Sequence, residues 1–157
     1  VKQMALYVTM YSPLQMAADI IENYERFPDA FQFIKDVAAD WDDTRILSAE
    51  PGDHIIIARK AKGKDDWFMG GITDENPRTS NVELSFLDPN ENYIATIYED
   101  GTDAHYISNP QKYNIRKLAV TNKAKLQQKM AASGGFAISI KKASREEINN
   151  LKKRKRN

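Results

Sequence analysis

Three pairs of adjacent acidic residues are the first candidates for catalytic chemistry in this chain: Asp42-Asp43, Asp65-Asp66 and Asp74-Glu75. Acid–base hydrolysis of a glycosidic bond needs two carboxyl groups about 5–10 Å apart, one as general acid and the other as nucleophile or base. Because adjacent side chains diverge in an extended chain, the two members of a pair do not face each other. The spacing therefore predicts turn and surface roles for these pairs.

A second candidate is a calcium loop. The run Asp88-x-Asn90-x-Asn92, with Glu99 at its twelfth position, imitates the loop of a helix-loop-helix calcium site. That loop needs glycine at its sixth position for a sharp turn, and this chain has Tyr93 there. The residues that follow alternate like a strand, so the run predicts a hairpin turn.

His54 and His105 are the only histidines, and cysteine is absent. Two histidines without cysteine make a poor basis for a zinc site. A Ser-His-Asp arrangement stays open, but no GxSxG motif supports it. Structural or surface roles are predicted for both rings, and no metal-binding or catalytic residue is assigned in this chain.

The strongest charge asymmetry lies at the C-terminus. Residues 141–157 carry eight basic and two acidic residues, a net charge of +6, which leaves −5 on the other 140. The basic run 152–156 could bind nucleic acid or an anionic membrane through counterion release. However, it has no interleaved aromatic residue, and the acidic body opposes such binding. Ser144 and Glu147 resemble a capping box, so a short helix with a solvated basic end is predicted.

The elements that position these residues are mostly strands. From Thr44 onward the hydrophobic pattern has a period of two, and turn residues occur about every ten positions. Eight strands are predicted, over residues 44–49, 53–61, 66–73, 80–86, 92–99, 112–120, 125–131 and 135–142. This spacing is typical of an antiparallel β-sandwich. Residues 1–43 read as helical or mixed, with a break at Pro13 and a helix from about Asp29 to Val37.

The composition indicates one ordinary folded domain, or one small domain with an appendage. The chain has 157 residues, of which 41% are hydrophobic and 29% charged. No apolar run reaches the roughly 18 residues that a membrane span needs, so no membrane partner is predicted. The first residue is Val1, and no signal peptide stands in this chain, which is typical of a fragment or a processed product.

Several spaced strings resemble one known family. They are SPLQMAAD (12–19), WDDT (41–44), IIIARK (55–60), DDWFMGGITDENPR (65–78), LSFLDP (84–89), YIATIYEDG (93–101) and GGFAISI (134–140). Together they resemble the C-terminal end of glycoside hydrolase family 97 enzymes, which are α-glucosidases or α-galactosidases. The resemblance covers roughly residues 1–142.

The resemblance implies a mainly β chain, α+β overall, in three parts. Residues 1–50 would be the closing elements of a (β/α)8 catalytic barrel, 51–143 an antiparallel β-sandwich, and 144–157 a basic tail outside the family pattern. Under this interpretation 14–18 is a short barrel strand, whereas the pattern alone also allows a helix. In the family the sandwich packs on the barrel and contributes to subunit association.

The implied function is structural: this chain would complete and oligomerise an α-glycosidase. The catalytic carboxylates and the glutamates that bind calcium would lie upstream, so no cofactor is expected in this chain. Expected partners are the rest of the barrel, a second copy of the chain and, as a further candidate, an α-linked oligosaccharide. Nucleic acid is not expected. The parent enzyme would be a periplasmic or secreted bacterial protein.

Three residues are candidates for a place near substrate. Asp19 would fall at the catalytic end of a barrel strand, where its alternative is a surface carboxylate. Trp41 and Asp42 are predicted to lie in a loop, where Trp41 would either border the substrate channel or pack the junction between helices and sandwich. Two other functions stay open: a carbohydrate-binding module that uses Trp41 or Trp67, and a nucleic-acid-associated β-domain with a basic arm.

Overall fold

A computed structural model describes residues 1–154, with the backbone alone for Arg154. Its helices are α1 (Lys2–Thr9), α2 (Ile21–Glu25), α3 (Pro28–Asp36) and α4 (Arg145–Arg154). Its strands are β1 (Trp41–Glu50), β2 (His54–Ala61), β3 (Trp67–Thr73), β4 (Arg78–Glu83), β5 (Tyr93–Asp100), β6 (Tyr113–Val120), β7 (Lys125–Met130) and β8 (Gly135–Lys142). All eight predicted strands are present, and their bounds differ from the prediction by three residues or fewer.

The strands form two antiparallel sheets. Six of them pair in the order β1-β2-β3-β8-β5-β6, while β4 pairs only with β7. The small sheet covers one face of the large one, and α1 and α3 cover the other. The predicted mainly β, antiparallel sandwich is confirmed, with a helical layer added to it.

Each face of the large sheet has its own hydrophobic core. The sandwich core lies between the two sheets and includes Trp67, Ile97 and Phe136. The helix-side core lies beneath α1 and α3 and includes Phe33 and Phe68. Because successive strand residues point to opposite faces, a strand in the middle of the sheet must be apolar at consecutive positions. The sequence of β3 and β5 has this property.

Two glycines in β3 make room for neighbouring groups, Gly70 for helix α1 and Gly71 for the Phe136 side chain of the adjacent strand β8. A Cβ atom on Gly70 would lie 2.6 Å from the Ala5 carbonyl oxygen of α1, and one on Gly71 would overlap the Phe136 ring. Any larger residue would therefore push α1 off the sheet at the first position and displace a core ring at the second.

Strand β1 extends the sheet further toward the N-terminus than the sequence predicts. It pairs with β2 from Trp41 to Glu50, with register shifts between Trp41 and Asp43 and between Ile46 and Ser48. The expected boundary at residue 50 therefore falls between two paired strands, β1 and β2, and the sheet begins at Trp41. The alternation of apolar and polar residues is weak in β1 because most side chains of this edge strand are exposed.

The segment between α1 and α2 has no regular secondary structure. Neither the helix nor the barrel strand considered for residues 14–18 is present. The Ser12 hydroxyl bonds the Leu14 amide and carbonyl in a local turn and does not cap a helix. A strand needs a neighbour to satisfy its backbone groups, and within residues 1–154 none pairs with this segment.

The predicted starts of the helices near Pro28 and after Ser144 are confirmed. Helix α3 begins at Pro28, and α4 begins after Ser144. There the Glu147 carboxylate accepts hydrogen bonds from the Ser144 amide and hydroxyl, at 2.8 Å each, as in a capping box. Of the basic run, Lys155 and Arg156 lie outside the described residues. No helix in the described part of the chain is long and apolar enough to cross a bilayer.

Candidate functional site

Asp19 lies on the exposed segment just before α2. Its Oδ1 atom accepts hydrogen bonds from the Asn23 side chain at 2.6 Å and the Ile20 amide at 2.8 Å. These bonds, that from Asn23 first, hold the pKa of Asp19 below its ordinary value. Asp19 is thus a carboxylate held just before α2 by one backbone amide and one side-chain amide.

The groove beside Asp19, termed the aromatic groove, has four aromatic side chains among its lining residues. It has a volume of about 330 Å³ and lies between α1, the α2–α3 pair and the start of β6. Tyr24 and Phe31 stack there with their centroids 4.4 Å apart, and Tyr113 donates a hydrogen bond to Asp29 Oδ1 at 2.7 Å. Burial, and then Asp29, raise the pKa of Tyr113 to about 12.

Trp41 lies on the helix side of the large sheet, at the start of β1. Its ring meets Phe68 edge to face at a centroid distance of 6.0 Å, and the Arg59 guanidinium lies 5.9 Å from its centroid. The indole Nε1 is buried and has no hydrogen-bond partner among the described residues. This half-buried position matches the packing interpretation of Trp41, at the junction of helices and sandwich.

Asp42, the next residue, supports a turn. Its Oδ2 atom accepts a hydrogen bond of 2.8 Å from the Gly63 amide, in the β2–β3 connection. Gly63 has a φ of 67°, a left-handed conformation that glycine adopts without strain. Asp19 lines the aromatic groove and neither Trp41 nor Asp42 does, so the structure does not bring the three candidates together.

The remaining acidic pairs also hold local structure. Asp43 forms an ion pair with Arg45 at 2.8 Å, and Asp65 forms one with Lys60 at 3.4 Å. Asp74 accepts hydrogen bonds from the backbone and side chain of Asn76, which lower its pKa, the side-chain bond contributing most. These contacts agree with the predicted turn and surface roles.

A second cleft opens between the small sheet and the β5–β6 edge of the large one. It has a volume of about 630 Å³ and contains charges of both signs. Glu99 forms an ion pair with Arg116 at 3.0 Å, and Asp100 Oδ2 accepts hydrogen bonds from the Ala131 and Gly135 amides. Both carboxylates are engaged, so the cleft offers no free acid–base pair.

The residues described do not fit a calcium site. Among residues 1–154, no group of three His, Asp or Glu side chains is close enough to share an ion. In the run that imitates a calcium loop, Asp88 Oδ1 instead accepts a hydrogen bond of 2.8 Å from the Asn90 amide. This is an Asx turn. The predicted hairpin is wrong, because the turn joins β4 to β5 and these strands lie in different sheets.

The histidines likewise occupy structural positions. His54 Nε2 lies 2.7 Å from Ser48 Oγ across the β1–β2 pair, and its Nδ1 is buried without a described partner. His105 Nδ1 accepts a hydrogen bond from the Ile107 amide in the β5–β6 loop. Neither ring is paired with a carboxylate to complete a catalytic triad in the described residues.

Trp67 cannot serve as a sugar-stacking platform. The residue is only 5% exposed, and its ring packs in the sandwich core with its centroid 4.6 Å from that of Phe86. Stacking on a sugar requires an accessible ring face, so the carbohydrate-binding alternative is wrong for Trp67. Its neighbour Phe68 is also buried, in the other core.

Arg59 was not among the predicted site residues, yet it is the least exposed cation of the described chain. Only 9% of the residue is exposed, on the helix side of β2. Its Nε donates a hydrogen bond of 2.7 Å to the Val8 carbonyl oxygen. A signal was present in the sequence, because the alternation of IIIARK places Arg59 on the same face as Ile57.

Comparison with known proteins identifies the family. A family model described as glycosyl-hydrolase 97 C-terminal, oligomerisation, matches residues 40–141. A retaining alpha-galactosidase of Bacteroides thetaiotaomicron is 38% identical over 140 residues, and a probable retaining alpha-galactosidase of Streptomyces bingchenggensis is 29% identical over 135. These matches cover 89% and 86% of the chain but only 20% and 19% of the relatives.

A solved structure agrees with these matches. The glycoside hydrolase family 97 enzyme of Pseudoalteromonas sp. strain K8, in complex with acarbose, is 46% identical and superposes with a TM-score of 0.89. The match covers 91% of this chain and 22% of that one. The chain therefore belongs to glycoside hydrolase family 97 and is a C-terminal oligomerisation domain of that family.

Proposed function

We propose that this chain is the C-terminal part of a larger α-glycosidase. In that enzyme the sandwich would support the closing elements of a (β/α)8 barrel, formed by residues 1–40, and would contribute to contacts between subunits. The catalytic carboxylates and the calcium ligands would belong to the upstream part of the barrel.

One observation carries this proposal: the exposed apolar side chains are concentrated in one region. Nine large hydrophobic residues of the described chain are exposed, and six of them lie between residues 10 and 21. Leu14, Met16 and Ile21 are 72–73% exposed. Large contiguous apolar surfaces mark contacts with another protein or domain. The part of the barrel that this chain lacks would cover them.

The family relatives suggest the substrate class. Two relatives bear the name of retaining alpha-galactosidase, and the Pseudoalteromonas enzyme was solved with acarbose and, as an E480Q variant, with panose. We infer that the parent of this chain cleaves an α-linked galactoside or glucoside. The choice between them would be made by residues outside this chain.

A chimera tests the proposal. The matching C-terminal region of the Pseudoalteromonas enzyme would be replaced by this chain, and hydrolysis of aryl α-glycosides measured beside the oligomeric state. We expect an active chimera, whereas the chain alone should hydrolyse neither aryl α-glucosides nor aryl α-galactosides. Leu14→Ser with Met16→Ser should abolish the soluble active chimera.

A matched control substitutes exposed apolar residues in a different part of the chain. Tyr106→Ser with Ile107→Ser, in the β5–β6 loop, removes similarly exposed side chains and should leave the activity of the chimera unchanged. Hydrolysis by the isolated chain that disappears on Asp19→Asn or Asp42→Asn would overturn the proposal.

A further inference from the structure

Arg59 is a buried cation without an acidic partner. None of the described carboxylates lies within ion-pairing distance of its guanidinium. A charge removed from water is costly unless other groups replace its hydration. The groups around Arg59 must therefore supply that stabilisation, and they come from separate parts of the chain.

The first group is the C-terminus of α1. Arg59 Nε donates to the carbonyl oxygen of Val8, in the last turn of the helix. Carbonyls of the last turn lack partners within the helix and carry the negative end of its dipole. Arg59 satisfies one of them with a charge-assisted hydrogen bond of 2.7 Å.

The second group is the Thr44 hydroxyl of β1, and the third is a pair of aromatic rings, those of Tyr11 and Trp41. Arg59 Nη1 donates a hydrogen bond of 3.1 Å to Thr44 Oγ1. The guanidinium carbon lies 5.5 Å from the ring centroid of Tyr11 and 5.9 Å from that of Trp41. Both distances are typical of cation–π contacts. Arg59 thus links strands β1 and β2 to the end of α1 and to Tyr11, where the exposed segment of residues 10–20 begins.

We propose that Arg59 is the positioning residue that fixes the path of residues 10–20 relative to the sandwich. The Tyr7 hydroxyl adds a second attachment by donating a hydrogen bond of 2.9 Å to the Met16 carbonyl oxygen. Trp41 serves in this junction as one wall of the Arg59 site. Because residues 10–20 carry Leu14, Met16 and Asp19, Arg59 orients the surface that faces the barrel under the proposed function.

Lysine cannot replace Arg59 in this role. A guanidinium presents several donors in a fixed plane, so it can bond Val8 and Thr44 at once while its faces meet aromatic rings. An ammonium is a compact, strongly hydrated charge and cannot keep all these contacts. Arg59→Lys is therefore a test that preserves the charge and removes the geometry.

The experiment uses the 157-residue chain labelled with 15N. In Arg59→Lys, exchange of the Thr9 and Met10 amides with solvent should accelerate about tenfold or more, because the end of α1 loses its cap. Amides of β8, at the centre of the sheet, should keep their rates. Arg45→Lys is the matched control, since Arg45 is exposed on the neighbouring strand, and it should change neither set.

Two further variants keep the proposal testable if the Arg59→Lys chain fails to fold. Thr44→Val removes one acceptor and Tyr11→Leu removes one ring, and each should accelerate the same two amides by a smaller factor. Their effects should not add to that of Arg59→Lys, because the contacts share one guanidinium. Unchanged exchange at Thr9 and Met10, or equal acceleration throughout β8, would overturn the role.

The outcome is separable from that of the proposed function. The Arg59 experiment is carried out on the isolated chain and requires no barrel, while the chimera reports on the barrel whatever Arg59 does. If the chimera is inactive but the Arg59 effect is confirmed, the proposed function is wrong and Arg59 still fixes the path of residues 10–20. If the chimera is active but Arg59→Lys has no effect on exchange, the proposed function stands and residues 10–20 are held by other contacts.

Discussion

Trp67 and Phe68 are neighbours in β3 and are buried on opposite faces of the large sheet. Trp67 is 5% exposed in the sandwich core, and Phe68 is 1% exposed in the helix-side core, where its ring lies 6.0 Å from that of Phe33. Strand β3 therefore contributes one large aromatic side chain to each of the two hydrophobic cores. Changes on one face of the sheet should be distinguishable from changes on the other.

Replacement of Ile97 by alanine should destabilise the chain by about 2–5 kcal/mol, because it leaves a cavity in the sandwich core. The side chain is fully buried in β5. Urea unfolding followed by circular dichroism would measure the free energy of unfolding. Lys153→Ala, on the exposed side of α4, is the control and should be nearly silent. An unchanged midpoint for Ile97→Ala would mean that the register of β5 is wrong.

Gly70→Ala and Gly71→Ala should act on different layers. The first substitution should loosen α1, because its Cβ would meet the Ala5 carbonyl oxygen at 2.6 Å. The second should lower the free energy of unfolding of the sheets, typically by about 1–3 kcal/mol for overpacking, because it displaces the Phe136 ring. Hydrogen exchange resolved by residue separates the two effects. Uniform acceleration by Gly70→Ala would contradict the layered arrangement.

Replacement of Gln128 by methionine should stabilise the chain. The residue is 0% exposed in β7, and neither polar atom of its side chain has a partner among the described residues. An unsatisfied buried polar group costs about 1–3 kcal/mol, which a flexible apolar side chain of similar size avoids. Thermal and urea unfolding would detect the gain. Gln127→Met, on the exposed side of the same strand, should give none, and a loss for Gln128→Met would reveal an internal partner.

Tyr113 should make stability depend on alkaline pH. Its pKa is raised from about 10 to about 12, chiefly by burial and then by Asp29. The unfolded chain therefore releases this proton first, so the contribution is complete below about pH 10 and is lost as the pH rises toward 12. Tyrosinate absorbance should show a late-titrating ring that Tyr113→Phe removes.

The control for Tyr113 is its hydrogen-bond partner. Asp29→Asn removes the negative charge that repels the Tyr113 phenolate, so this substitution should lower the pKa of Tyr113. Burial should still keep that pKa above the ordinary value for tyrosine. An absorbance titration in which Tyr113→Phe removes a ring of ordinary pKa would refute the assignment.

The strands could be predicted from the sequence because local alternation and turn residues determine them. The consecutive apolar residues of IIIARK and YIATIYEDG require a sheet covered on both faces, and β2 and β5 are so covered. The separation of β4 and β7 into a second sheet could not be predicted. It depends on pairing between residues about 50 positions apart, on which local pattern carries no information.

The candidate site was less predictable, because its residues are defined by contacts distant in sequence. Trp41 stands among aspartates and reads as a loop residue, yet it meets Phe68 and Arg59 from neighbouring strands. Residues 14–18 read as either helix or strand and form neither, because their secondary structure depends on a pairing partner that the described chain does not provide.

The register shifts in β1 have a consequence for how copies of the domain can meet. Strand β1 is an outer strand of the large sheet, and an unprotected outer strand invites endless edge-to-edge addition. Its two irregularities break the regular spacing of free amides and carbonyls, and Asp42, Asp43 and Arg45 add charge to that edge. Copies are thereby discouraged from joining by backbone pairing at β1. At this edge, association would run through side chains, which favours a closed assembly of defined size over a growing fibre.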